Sequence, residues 1–184
     1  SLRLSFGDLA AELATRMRSP RKLAEPMPVW VGESPSPGQQ LVEFLAILTA
    51  GDAAVLGDPG WSPLQRQQVR QLFGTHALAD GGPLPSGSFY VGFTSGSTGL
   101  PKGFVRSHRS WVESFSGCIQ AFGPATSGTI LAPGRLAHSL SLFGALLGLW
   151  TGGGVRLQPQ FSAAASLQTL MRGDAQALMA TPAQ

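Results

Sequence analysis

Short apolar runs of strand length alternate along this chain with longer stretches whose apolar residues recur every three or four positions, the spacing of a helix face. Ser5 followed by Asp8 has the form of an N-cap, and Leu9, Leu13 and Met17 continue at helical spacing. Pro26-Met27-Pro28-Val29-Trp30-Val31 reads as a short strand, Pro35-Ser36-Pro37-Gly38 as a turn, and residues 40–49 as a buried helix closed by Gly51. Ala53-Ala54-Val55-Leu56 is the next strand. Ser62-Pro63-Leu64-Gln65 then combines an N-cap, a first-turn proline and a capping-box glutamine, which starts a helix running to about Phe73.

Residues 81–87 form a Gly, Pro and Ser loop, and Phe89-Tyr90-Val91-Gly92-Phe93 reads as a central strand. Trp111, Phe115, Cys118, Ile119 and Phe122 share one helical face. Strands at 129–132, 155–157 and 177–179 alternate with helices at 138–150 and 163–172. This order predicts an α/β fold with largely parallel sheets flanked by helices. No repeat and no hinge-like linker separates two complete domains.

At 184 residues, one domain, or one domain plus part of a second, is the expected size. Hydrophobic residues make up 43% and charged residues 12%, the latter about half the usual share, so a disordered chain is excluded. The net charge of +3 is unevenly spread, because residues 93–184 hold six basic side chains and only two acids, Glu113 and Asp174. These positives are spaced, without clusters or interleaved aromatics. They suit an anionic small molecule, or plain surface charge, rather than nucleic acid. Cys118 is the only cysteine, which rules out an internal disulfide or a zinc pair and leaves it as a core residue. The apolar run Leu140 to Trp150 is too short for a bilayer span, and Asp8, Glu12 and Glu25 argue against a transit peptide. A cytoplasmic protein without a membrane span is the expectation.

The chemistry concentrates in Phe93-Thr94-Ser95-Gly96-Ser97-Thr98-Gly99-Leu100-Pro101-Lys102-Gly103, directly after the central strand. Gly96, Gly99 and Gly103 let backbone N–H groups approach a ligand, the hydroxyls of Thr94, Ser95, Ser97 and Thr98 add donors, and Lys102 adds a full positive charge. Such a loop can wrap phosphate oxygens. It is not the common nucleoside-triphosphate loop, which needs Gly-Lys-Ser/Thr where this chain has Pro-Lys-Gly, and it is neither a dinucleotide fingerprint nor a G-x-S-x-G elbow. A merely structural Ser/Gly turn would need none of this order.

At these residues the chain resembles the adenylate-forming superfamily: acyl-CoA and aryl-CoA synthetases, adenylation domains of nonribosomal peptide synthetases, and luciferases. The resemblance extends to Leu4-Ser5-Phe6-Gly7-Asp8-Leu9, to Leu48-Thr49-Ala50-Gly51-Asp52-Ala53-Ala54-Val55-Leu56 with Asp58-Pro59, and to Leu136-Ala137-His138-Ser139. It implies that Thr94, Ser95, Gly96, Ser97, Thr98, Gly99 and Lys102 bind ATP and pyrophosphate, and that His138, Ser139 and Leu142 line an acyl pocket. Ser141 and Gly144 leave space there, and Leu140 and Phe143 add wall. The implied reaction activates a small-molecule carboxylic acid as its acyl-adenylate and passes the acyl group to CoA or to the phosphopantetheine of a carrier protein. ATP and Mg2+ are the implied cofactors.

The superfamily's later motifs do not occur in these residues: the glutamate that binds magnesium, the ribose aspartate, the hinge and the C-terminal lysine. Residues 1–184 are therefore expected to correspond to the N-terminal portion of an AMP-binding domain, without its C-terminal part and lid, with no metal ligand and no assigned catalytic residue. Two other readings are compatible with the residues. One is a nucleotide- or acyl-binding fragment that never turns over; the other is an interaction subunit that completes a site with a second chain.

Overall fold

The computed structural model describes residues 4–16, 25–32, 34, 36–76, 84–94 and 101–181. They divide into two compact units, Ser1–His108 and Arg109–Gln184, each built on its own sheet.

In the first unit, α1 (Phe6–Arg16) is followed by β1 (Pro28–Trp30), α2 (Pro37–Thr49), β2 (Ala53–Val55), α3 (Pro63–His76), β3 (Ser88–Thr94) and β4 (Lys102–Ser107). The caps act as the sequence requires. Ser5 Oγ accepts from the Asp8 N–H at 3.1 Å while the Ser5 N–H donates to the Asp8 carboxylate at 2.9 Å. The Ser5 hydroxyl, which donates to the same carboxylate at 2.7 Å, and then the Ser5 N–H hold the Asp8 carboxyl below its ordinary range. Ser36 caps α2 by accepting from the Gln39 N–H, with Pro37 in the first turn, so this helix begins earlier than its apolar stretch. Ser62 and Gln65 form the reciprocal capping box of α3, at 3.2 and 3.0 Å. Gly51 takes φ +84 just beyond α2, a left-handed turn that sends the chain into β2.

The four-stranded sheet has the order β1-β2-β3-β4. β1, β2 and β3 are parallel, with α2 and α3 as crossovers, and β4 returns antiparallel beside β3. Ala53, Val55, Leu84 and Val91 form the core on one face, with Trp30, Phe93 and Val105 packed against it. β4 is an addition to the sequence reading, which assigned no strand between the glycine motif and the helical face that begins at Trp111.

The second unit contains α4 (His108–Phe122, beginning at the last residue of the first unit), a short 3-10 turn (Gly123–Ser127), β5 (Ile130–Pro133), α5 (Ser139–Trp150), β6 (Val155–Gln158), α6 (Ala163–Met171) and β7 (Ala177–Leu178). Its sheet order is β6-β5-β7, all parallel. From the central β5 the chain therefore goes first to one side and then to the other. Trp111 and Phe115 bury their side of α4 against Phe143, at ring separations of 5.3 and 4.9 Å. The expected apolar face ends early, because Cys118 is only half-buried and Phe122 is 68% exposed in the last turn.

Among the described residues, four of the five strand pairings are parallel, and helices connect the parallel neighbours that are consecutive in the chain. The fold is α/β with largely parallel sheets. Among the described residues no helix is long and apolar enough to cross a membrane.

Candidate functional site

The glycine- and hydroxyl-rich motif begins where β3 ends. Ser95, Gly96, Ser97, Thr98 and Gly99 lie outside the described residues, whereas Thr94 and Lys102 at either end are described. Thr94 is the last residue of β3, Lys102 is the first of β4, and the two are paired across the ladder. The Thr94 hydroxyl donates to the Lys102 carbonyl at 3.5 Å, and both side chains are exposed. A lysine and a threonine thus stand side by side and exposed at the two ends of the motif, with the ammonium carrying three donors.

Both faces of β3 are anchored by aromatic rings at this point. On one face, Phe93 stacks on Trp30 at 6.0 Å and meets Trp61 edge-on at 4.9 Å, and the Arg70 guanidinium lies 5.7 Å above Trp30. On the other face, Tyr90 meets the cross-strand Phe104 edge-on at 5.9 Å, and Arg106 lies 5.6 Å over Phe104. Open parallel sheets bind ligands beyond the carboxyl ends of their strands, and the motif follows that end of β3. A narrow notch of about 20 Å³, room for about one water, opens at the same edge between Trp30, Asp58, Trp61, Arg66 and Arg70. Sequence reasoning assigned none of these five a role; the two tryptophans and two arginines close to β1 and β2 were the available signal.

His138 is the N-cap of α5, extended at φ −85 and ψ 120, and it is exposed. Its N–H donates to the Arg135 carbonyl at 3.0 Å and its carbonyl accepts from the Leu142 N–H at 3.1 Å. It follows the carboxyl end of β5, between the crossovers toward β6 and β7, the kind of switch point where α/β sheets hold ligands. Ser139 opens α5 half-buried, and Leu142 is 0% exposed within the second unit.

The neighbouring small residues do not leave the room that the sequence suggested. Ser141 is buried and donates to the Pro133 carbonyl at 2.8 Å, tying α5 to the end of β5. At Gly144 an added Cβ would stand 2.7 Å from Met179 Cβ, so the glycine is already filled by a side chain from beyond β7. At Gly148 an added Cβ would run into the Gly154 carbonyl. These residues form the seam by which α5 approaches its sheet.

Among the described residues, no group of three or more His, Cys, Asp or Glu is arranged to hold a metal ion.

The family model for AMP-binding enzymes matches residues 76–184, more than half of the chain. The chain belongs to that family, and with it to the adenylate-forming superfamily. An uncharacterized acyl-CoA ligase of Bacillus subtilis, YhfT, is 45% identical over 98 residues, covering 53% of this chain and 20% of YhfT. Among solved structures, the o-succinylbenzoate CoA synthetase MenE of Bacillus subtilis, in complex with ATP and magnesium ion, superposes with a TM-score of 0.69 at 16% identity. That match covers 97% of this chain and 57% of MenE. Apo MatB of Rhodopseudomonas palustris superposes with a TM-score of 0.65 at 15% identity, covering 94% of this chain and 43% of MatB. At these identities the structures share the fold, and the chain spans about a fifth of YhfT and about half of the solved relatives.

Proposed function

We propose that residues 1–184 are the phosphate-binding, N-terminal portion of an adenylation domain in an ATP-dependent acid–thiol ligase. The observation that carries this reading is the position of the motif: it leaves the carboxyl end of a parallel strand and returns in register, with Lys102 opposite Thr94. The family match over residues 76–184 and the ligase name of YhfT support it.

In the proposed reaction, an oxygen of the substrate carboxylate attacks the α-phosphorus of ATP. The bond to the bridging oxygen breaks and pyrophosphate leaves with that electron pair, giving the acyl-adenylate. A thiol of CoA, or of the phosphopantetheine on a carrier protein, then attacks the acyl carbon; AMP departs and the thiol proton passes to solvent. The protein's part is positioning and charge stabilisation rather than covalent catalysis. Thr94, Ser95, Gly96, Ser97, Thr98, Gly99 and Lys102 would hold the departing β- and γ-phosphates. His138 and Ser139, backed by Leu142, would border the acid, whose tail is apolar or aromatic. The magnesium carboxylate, the ribose contact and the C-terminal lysine would come from outside these residues, and the reaction would take place in the cytoplasm.

The test is to titrate the chain with ATP and with pyrophosphate, and to assay acid-dependent exchange of labelled pyrophosphate into ATP. Saturable binding without exchange is expected. Absence of binding would overturn the phosphate reading. Exchange by the 184-residue chain alone, lost in Lys102→Ala, would overturn the division of the site between this chain and residues outside it.

A further inference from the structure

A glycine inside a strand weakens it and commonly marks a close approach of other groups. Gly92 is buried in β3, two residues before the loop motif, and is not among the positive-φ glycines, so its backbone conformation does not require glycine. The requirement is space. An added Cβ would lie 2.5 Å from Phe104 Cζ and 2.7 Å from Tyr90 Cζ, and would also strike the Tyr90 hydroxyl. Tyr90 has little freedom to yield, because it is 0% exposed and packs edge-on against Phe44 at 6.1 Å.

The ladder explains why the space is there. Tyr90, Gly92 and Thr94 point to one face of β3 and stand opposite Arg106, Phe104 and Lys102 of β4. A slip by one residue would turn Phe104 to the other face. A slip by two would keep the face but set Phe104 opposite the side chain of Tyr90 or Thr94. Only the observed register lays the Phe104 ring over a position with no side chain. The same register puts Lys102 opposite Thr94.

We propose that Gly92 is a positioning residue for the phosphate loop: by admitting the Tyr90 and Phe104 rings it selects the hairpin register that stands Lys102 beside Thr94. The inference rests on the phosphate reading for its functional consequence, though not for the register itself. Replacing Gly92 would displace the lysine and weaken anion binding without touching any residue of the loop.

The experiment compares wild type, Gly92→Ala, Gly92→Ala/Tyr90→Leu/Phe104→Leu, Lys102→Ala and, as a destabilised control, Val55→Ala. Each is measured for the cross-strand nuclear Overhauser contact between Thr94 and Lys102 and for pyrophosphate affinity of the folded fraction. Gly92→Ala is expected to lose the contact and to bind pyrophosphate about tenfold more weakly, the scale of a lost charged hydrogen bond. The triple variant, in which shorter side chains replace both rings that meet the new methyl, is expected to regain the contact and to recover affinity to within about threefold. Val55→Ala is expected to lower Tm with both readouts intact. Retention of the contact and of wild-type affinity in Gly92→Ala would overturn the proposal, as would failure of the paired Tyr90→Leu and Phe104→Leu changes to rescue. If Lys102→Ala binds pyrophosphate as wild type does, the phosphate reading fails, and the Overhauser contact still decides whether Gly92 sets the register.

Discussion

Lys102 stands directly across the β-ladder from Thr94, and the Thr94 hydroxyl donates to its backbone carbonyl. The motif's only lysine is thereby fixed to the same edge of the sheet as the residue that opens the motif. The hydrogen bond is long and exposed, so the relationship is held by the rings beneath it: Phe93 with Trp30 and Trp61 on one face, Tyr90 with Phe104 on the other.

The glycine seam of α5 makes a prediction about stability. Gly144→Ala meets the Met179 side chain, whereas Gly148→Ala meets the backbone of Gly154, which has less room to move. Overpacking costs about 1–3 kcal/mol, and Gly148→Ala is expected at the upper end of that range and Gly144→Ala at the lower. Urea denaturation of both variants checks the order.

Leu142 and His138 are expected to separate stability from substrate handling. Leu142 is fully buried, so Leu142→Ala should cost about 2–5 kcal/mol by urea denaturation. His138 is exposed at the helix cap, and His138→Ala should stay within about 0.5 kcal/mol of wild type. In an enzyme that contains this chain, His138→Ala should raise the KM for the carboxylic acid or slow adenylate formation, measured by pyrophosphate release over a panel of acids. Unchanged kinetics would remove His138 from the pocket.

His108 supplies a pH dependence. Its ring stacks on Phe89 at 4.9 Å, and withdrawal from water lowers its pKa from the ordinary histidine value. The unfolded chain therefore binds this proton more readily than the folded one. The contribution to stability is whole above the unfolded value of about 6.5 and is lost as the pH falls through the lower, folded value. Tm measured between pH 5 and 8 should drop at the acid end in wild type, with part of that drop missing in His108→Phe.

Much of the fold was legible because local signals agreed with the tertiary result. Ser5 and Ser62 cap helices in both sequence and structure, Ser36 caps α2 where the sequence suggested only a turn, and each short apolar run became a strand within a residue or two. β4 was missed because Lys102-Gly103-Phe104-Val105-Arg106-Ser107 is an edge strand, half polar and opened by a charge, and it carries little strand signal of its own. The division after His108 was equally silent, since β4 runs straight into α4 without a Gly or Pro break. Ser141 and Gly144 look like room when α5 is considered alone. Only contacts with Pro133 and Met179, brought in by the sheet, show that the room is taken. Gly92 has the same character, since the space over it is filled by Phe104 of the neighbouring strand and by the Tyr90 ring, which packs on Phe44 of α2.

The most direct test of the central claim is calorimetric titration of pyrophosphate into the wild-type chain and into Lys102→Ala. A hydrogen bond to a charged group is worth about 1.5–3 kcal/mol, so loss of the ammonium should weaken binding about tenfold to a hundredfold. Equal affinity in the two proteins would contradict the assignment of Lys102, and with it the phosphate loop, to the binding site.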